Sequence, residues 1–183
     1  KSAATGSRKP GKELAIRIGA HTDHLWHMPA WKRVPQISMQ KTLPAGGAMS
    51  IASPFGGVVY VEVPEGLAGG VVDVEIAGAV ESPLFVLGKT SVEEWKTTIR
   101  HRPGPWAEFA CDSVIVTVPS AAVREIEDPM EICTIWQRVL DNAADLAAIP
   151  HVRKSPQRYV ADVQISAGYM HSRSEEHTSE LQS

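Results

Sequence analysis

The sequence predicts a β-rich α+β fold: a β-sandwich or jelly-roll-like core with two helices packed on it and disordered ends. Three observations lead there. Short β-branched runs bounded by Gly and Pro recur between residues 14 and 165. Two segments break that rhythm with capping signals and helical apolar spacing. Both ends lack any apolar period. With 183 residues, 43% hydrophobic and 21% charged, the composition is that of a chain able to bury a core.

Residues 1–12, KSAATGSRKPGK, hold four positive charges and no large apolar side chain, and are expected to be a flexible lead-in or linker. Next, Leu14, Ile16 and Ile18 alternate with Ala15 and Arg17 as in a half-buried strand. Residues 49–52 form a short strand candidate. VVYVEV at 58–63 follows Gly56-Gly57 and is closed by Pro64. After a turn containing Gly66, Gly69 and Gly70, residues 71–76 put Val72, Val74 and Ile76 on one side and Asp73 and Glu75 on the other. The runs 58–63 and 71–76 are expected to pair as a hairpin with one wet face. Further strands are expected at 84–87, at 114–118 (VIVTV) and at 158–165.

The first helix is signalled by Thr90 and Glu93 at capping-box spacing, with Val92, Trp95, Lys96 and Ile99 on one face. The second has Asp128 as N-cap, Pro129 in the first turn and Glu131 three residues after the cap. There Ile132, Ile135, Trp136, Val139, Leu140, Ala143 and Leu146 make one apolar stripe expected to face the core, and Pro150 ends the helix.

Residues 173–183, RSEEHTSELQS, show neither helical nor strand period and resemble the conceptual translation of a common sequencing-library adapter. They are expected to be an adapter-derived artefact, which leaves 1–12 as lead-in and 13–172 as the folded unit. The formal charge of −3 falls to −1 once Arg173, Glu175, Glu176 and Glu180 are set aside. Such a balance gives no reason to expect nucleic acid or an anionic membrane as partner. No apolar run reaches the ~20 residues that span a bilayer, and none near Lys1 has the form of a secretory signal. Cys111 and Cys133 are read as reduced core residues, able to bridge only if their Cα atoms stand within ~7 Å.

The search for chemistry begins at His21, Asp23, His24 and His27 in HTDHLWH. Three imidazoles at that spacing on a helix would share a face and suit a divalent metal. Pro29 and the preceding strand argue against a helix, so these side chains are expected to bind backbone or lie in solvent. The string H-E-x-x-H, which supplies two metal ligands and a general base, is absent. His101, His151, His171 and His177 are isolated, and none precedes Glu. G-x-S-x-G, P-loop and G-x-G-x-x-G patterns are also absent. The acidic pairs Glu93-Glu94 and Glu125 with Glu127 read as solvated surface rather than a glycosidase dyad. Trp95 and Trp136 sit on apolar helix faces and read as core. Trp26, Trp31 and Trp106 lie in loops beside Pro, where an aromatic either plugs the end of a sandwich or stacks on a sugar.

The blocks HTDHLWHMPAWKRVP, SPFGGVVYVEVP, SPLFVLGKTSVEEW, RPGPWAE, VIVTVPS, EDPMEICTIWQRVLDNAADLA and RYVADVQISAGYMHS occur in the order expected of peptidase family M60. Over residues 13–172 the chain thus resembles the enhancin-like and mucin-degrading metallopeptidases. That resemblance implies a secreted or cell-surface zinc endopeptidase acting on mucin-type glycoproteins. The family's zinc motif lies downstream of MHS, so zinc is expected in the full-length parent, while this fragment holds no catalytic or metal residue and should be inactive alone. It would be the N-terminal part of the peptidase domain. By analogy, the PFGG and PGPW loops line the substrate cleft, with Trp26, Phe55 and Trp106 as candidate substrate or glycan contacts. A vertebrate branch similar to the same family regulates an ion channel, which keeps a non-enzymatic interaction or glycan-binding module as the alternative.

Overall fold

The computed structural model describes residues 13–44, 47–64, 71–168, 170–173 and 178–182. The expected lead-in and the turn through Gly66, Gly69 and Gly70 lie outside them. Two sheets form. In the first, β1 (Ala15–Ile18) stands between β2 (Met39–Thr42) and β3 (Val59–Glu62), both antiparallel to it, with Arg17 opposite Gln40 and Tyr60. The second, mixed sheet runs β4 (Leu84–Val86), β5 (Trp106–Ala110), β6 (Val114–Pro119), β7 (Gln157–Asp162), β9 (Thr178–Gln182), β8 (Met170–Arg173). There β4 is parallel to β5, β5 antiparallel to β6, and β7 parallel to both β6 and β9. The helices are α1 (Val92–Thr97) and α2 (Met130–Leu146). The result is a β-rich α+β fold.

The expected hairpin does not form. Residues 59–62 pair with β1, which lies over 40 positions earlier in the chain, and 71–76 are irregular and mostly exposed, with Val71 93% accessible. Alternation describes a surface that fits a half-buried sheet, and it makes a strand only where an edge is offered. β1 offers both its edges, to β2 and β3. Residues 49–52 are irregular for the same reason. Two strands carry weak signals. β2, MQKT, is exposed throughout, and β5, WAEFA, is short and contains Ala and Glu. The backbone of Thr178–Gln182, in the segment without a strand period, lies beside β7, since main-chain pairing needs no side-chain pattern.

The main core lies where the helices cover the second sheet. Trp95 is fully buried, its ring meets Phe85 and Phe109 at centroid distances of 6.0 and 5.4 Å, and its Nε1–H donates to the Ile126 carbonyl at 2.8 Å. Cys111 and Cys133 are unbridged thiols in this cluster. Helix α1 is capped by Ser91, whose hydroxyl accepts the Glu94 N–H at 3.1 Å. Thr90, the expected cap, instead accepts the Val86 N–H in the preceding turn. The Asp128 carboxylate accepts the Met130 N–H at 2.9 Å, so it serves the start of α2, which begins one residue later than the sequence suggests. The apolar stripe of α2 divides. Cys133, Leu140 and Ala144 are buried and Trp136 half-buried, but Ile135, Val139 and Leu146 are 50, 48 and 92% exposed. The helix is apolar over a wider arc than the sheet beneath it covers.

Candidate functional site

Strand alternation sends Tyr159 and Arg158 to opposite faces of the second sheet. Tyr159 stacks on Trp136 of α2 at 4.7 Å, while Arg158 reaches Tyr60 of the first sheet. The helix-free face of the second sheet therefore meets the N-terminal module, and buried charge concentrates in that seam.

Two networks fill it. At one end the Arg33 guanidinium grips Asp162, at the end of β7, with Nε 2.9 and 2.7 Å from the two carboxylate oxygens and Nη2 2.6 Å from Oδ2. Both side chains are nearly closed to water, at 9 and 2% exposure. Arg33 also donates to the carbonyls of Asp23, Val34 and Pro35. Gln164 accepts the Lys32 N–H at 2.7 Å and donates to Ala30 O at 3.0 Å. The Asp23 carboxylate accepts the Ser166 N–H at 2.6 Å, and His21 Nε2 lies 3.1 Å from Ala161 O. Residues 21–33 and 161–166 are thus laced together. Burial holds the His21 pKa below the usual histidine range, against the pull of Asp162 and the Ala161 carbonyl.

At the other network the Glu108 carboxylate of β5 accepts the Tyr60 hydroxyl at 2.6 Å, the Thr117 hydroxyl at 2.9 Å and an Arg158 N–H. Arg158 lies 4.6 Å from the Tyr60 ring centroid, a cation–π distance. Burial first, then the neighbouring Glu108 charge, raises the Tyr60 phenol well above its ordinary pKa. These hydrogen bonds leave the phenol as a donor to the carboxylate. That arrangement is suited to holding sheets together rather than to moving protons.

The PFGG and PGPW loops meet in the structure. Gly56 lies against the Pro105 ring, and Gly57 packs so closely on Gly19 that a Cβ there would stand 2.6 Å from the Gly19 backbone. Trp106 opens β5 rather than lying in a loop, and His21 contacts its ring at 4.9 Å in an edge arrangement. Phe55 is exposed in the adjoining turn. Trp26 is 61% exposed, and its edge-on ring partner is Trp31 at 5.8 Å.

The HTDHLWH segment is irregular. His21 is committed to the Ala161 carbonyl, His24 is half-buried and His27 exposed. Among the described residues no three His, Cys, Asp or Glu side chains converge as a metal-binding set. No described helix is long and apolar enough to cross a membrane. Apart from His21 and Asp23, which lie in HTDHLWH, the residues of the two networks were not singled out by any motif. The available signal was a charge inside an apolar strand: Glu108 in WAEFA, and Arg158 and Asp162 four apart, hence on one face, in RYVAD.

Comparison with known proteins follows the same division. The N-terminal domain of M60-like peptidases matches residues 6–77, and the family of peptidase M60, enhancin and enhancin-like proteins matches residues 78–183. Mouse TRPM8 channel-associated factor 2 is 42% identical over 159 residues, 87% of this chain but 17% of that protein, so the chain spans about a sixth of its relative. A conserved Bacillus anthracis protein of unknown function shares the fold with a TM-score of 0.66 at 19% identity, over 95% of this chain and 35% of that one. The M60 catalytic domain of Clostridium perfringens ZmpC, solved with the sialyl T antigen, aligns with a TM-score of 0.51 at 11% identity, over 94% of this chain and 41% of that one. The two charge networks join the segments that the two family matches divide at residue 77, and on these matches the chain belongs to the M60-like peptidase family.

Proposed function

We propose that this chain is the non-catalytic, N-terminal scaffold of an M60-like domain, which fixes the N-terminal module onto the sheet from which the rest of that domain is built. The observation that carries this reading is how the buried acids are used. Asp162 is held by Arg33, Asp23 by the Ser166 N–H, and Glu108 by Tyr60, Thr117 and Arg158. Groups committed in this way are structural. The family description supports a peptidase as the parent protein, and our reading of it is a zinc-dependent endopeptidase acting on mucin-type glycoproteins outside the cell, with the zinc ligands beyond Ser172. Trp26, Phe55 and Trp106 are then candidate contacts for substrate or glycan, with Phe55 in the turn that adjoins the start of β5, where Trp106 stands.

A second reading has its own support. Identity to a TRPM8 channel-associated factor, at 42%, far exceeds the 11% to the M60 catalytic domain of ZmpC. On that ground the parent is an interaction protein that engages an ion channel. Extending the coding sequence past Ser172 and assaying the product separates the two. A downstream H-E-x-x-H followed by a further Glu, with zinc-dependent cleavage of a mucin-type glycoprotein, establishes the peptidase. Co-purification with TRPM8 and no cleavage establishes the interaction protein. An extension that lacks M60-like sequence refutes the scaffold reading itself.

A further inference from the structure

The chain has three Ser-Pro steps, and the fold treats them differently. At Ser82-Pro83 the proline is fully buried, Glu81 precedes the serine, and the Ser82 hydroxyl is packed against Gly104. At Ser53-Pro54 the serine is half-buried and its hydroxyl accepts the Phe55 N–H. Ser155-Pro156 is the opposite case. Ser155 is exposed in the irregular segment between α2 and β7, and Arg153 and Lys154 immediately precede it. It lines a surface groove with Arg153, Lys154 and Gln157, against Ile149 and Pro150. Pro156 biases the serine away from the helical conformation and offers no backbone donor of its own. Residues 153–156 precede β7, so another enzyme's cleft can take them up without unpairing a strand.

We propose that Ser155 is a phosphorylation site for a proline-directed protein kinase, and that Arg153 seats the phosphate in this groove. The inference goes beyond the scaffold reading and does not depend on it. In the step itself the Ser155 Oγ attacks the γ-phosphorus of a nucleoside triphosphate. The Oγ–P bond forms as the bond to the β-phosphate oxygen breaks, the nucleoside diphosphate leaves, and the hydroxyl proton passes to the kinase's base. The product carries about −1.5 to −2 charges at neutral pH and strong acceptor oxygens, which a neighbouring guanidinium meets with charge-assisted hydrogen bonds. Arg153 is placed for that role. Its Nη2 donates to the Leu140 carbonyl of α2 at 3.3 Å, and the rest of its N–H fork is available to a phosphate. The nearby carboxylates of Asp145 and Asp141 are turned to His151, at 2.7 and 3.8 Å. The modified serine would tie the segment before β7 to α2 through Arg153, and would change the charge of the surface on the α2 side of the sheet.

The test incubates the natively folded chain with a mitogen-activated protein kinase and magnesium ATP, and locates the phosphate by peptide mass spectrometry. One phosphate is expected at Ser155, with none at Ser53 or Ser82 and none in Ser155→Ala. Phosphorus NMR then follows the second ionisation of the phosphate, which lies near pH 6 in a free phosphoserine. It is expected at least about half a unit lower in the folded chain than in a phosphopeptide of residues 150–158, which has the same neighbouring charges without the groove. Arg153→Gln is expected to return it to the peptide's value. No phosphate at Ser155, or phosphate at Ser53 or Ser82 in its place, overturns the site. An ionisation equal to that of the peptide, or one that Arg153→Gln leaves lowered, overturns the seat.

Discussion

Asp162→Ala is the substitution that presses hardest on the seam between the two modules. The carboxylate is 2% exposed, takes three contacts of 2.6 to 2.9 Å from Arg33 and accepts the Gln164 N–H at 3.2 Å. Removing it leaves a guanidinium in a site closed to water, where the carbonyls of Asp23, Val34 and Pro35 cannot balance its charge. Breaking one side of a buried pair costs ~3–5 kcal/mol, whereas replacing both sides with apolar groups of similar size is near neutral. Against a total stability of ~5–15 kcal/mol, the single change removes a large part of the margin. In urea, with a slope of ~2 kcal/mol per molar, the midpoint should fall by roughly 2 M. Tryptophan fluorescence during urea titration reads it. The double variant Arg33→Met with Asp162→Leu should recover most of the loss. A cost under ~1 kcal/mol for Asp162→Ala would put the pair in the class of surface ion pairs and refute the clasp.

Three other outcomes follow from the same geometry. Tyr60→Phe should cost ~1–3 kcal/mol, because Glu108 loses a donor it cannot replace from solvent, and thermal melts showing no change would argue against that network. The unfolded chain protonates His21 near pH 6.5, while burial holds the native imidazole below that value, so stability should fall as pH drops from 7 towards 5. His21→Gln should flatten that slope. His151, exposed beside Asp145, works in the opposite sense, stabilising at low pH and losing that contribution as pH rises, but weakly in salt. Parallel pH profiles for wild type and variant would mean that His21 is not the group responsible. Trp136→Ala should cost about 2–4 kcal/mol, from lost burial plus the stack on Tyr159; a neutral result would remove α2 from the core.

Much of this fold was legible in the sequence because local signals and tertiary demands agree there. VVYVEV, VIVTV and the Arg158 to Asp162 stretch are strands in both sequence and structure, and Trp95 lies where its helical face places it. The sequence misled where the partner was remote. Residues 71–76 alternate as well as 58–63 do, yet only the latter found an edge, on β1. The row of Ile135, Val139 and Leu146 reads as core in the periodicity but is exposed, because amphipathicity marks an apolar face without saying how much of it the sheet covers. As for the candidate site, the turn holding Phe55 does adjoin Pro105, just before Trp106 at the start of β5. The charges that actually unite the modules were hidden, because pairing of Arg33 with Asp162 spans 129 positions and no local pattern encodes it.

The central claim is that these residues build a scaffold and do not hold a catalytic metal. Calorimetric titration of the purified chain with zinc, followed by incubation with a mucin-type glycoprotein, addresses it directly. The account predicts no stoichiometric tight site and an intact glycoprotein. One tightly held zinc per chain accompanied by cleavage would contradict it.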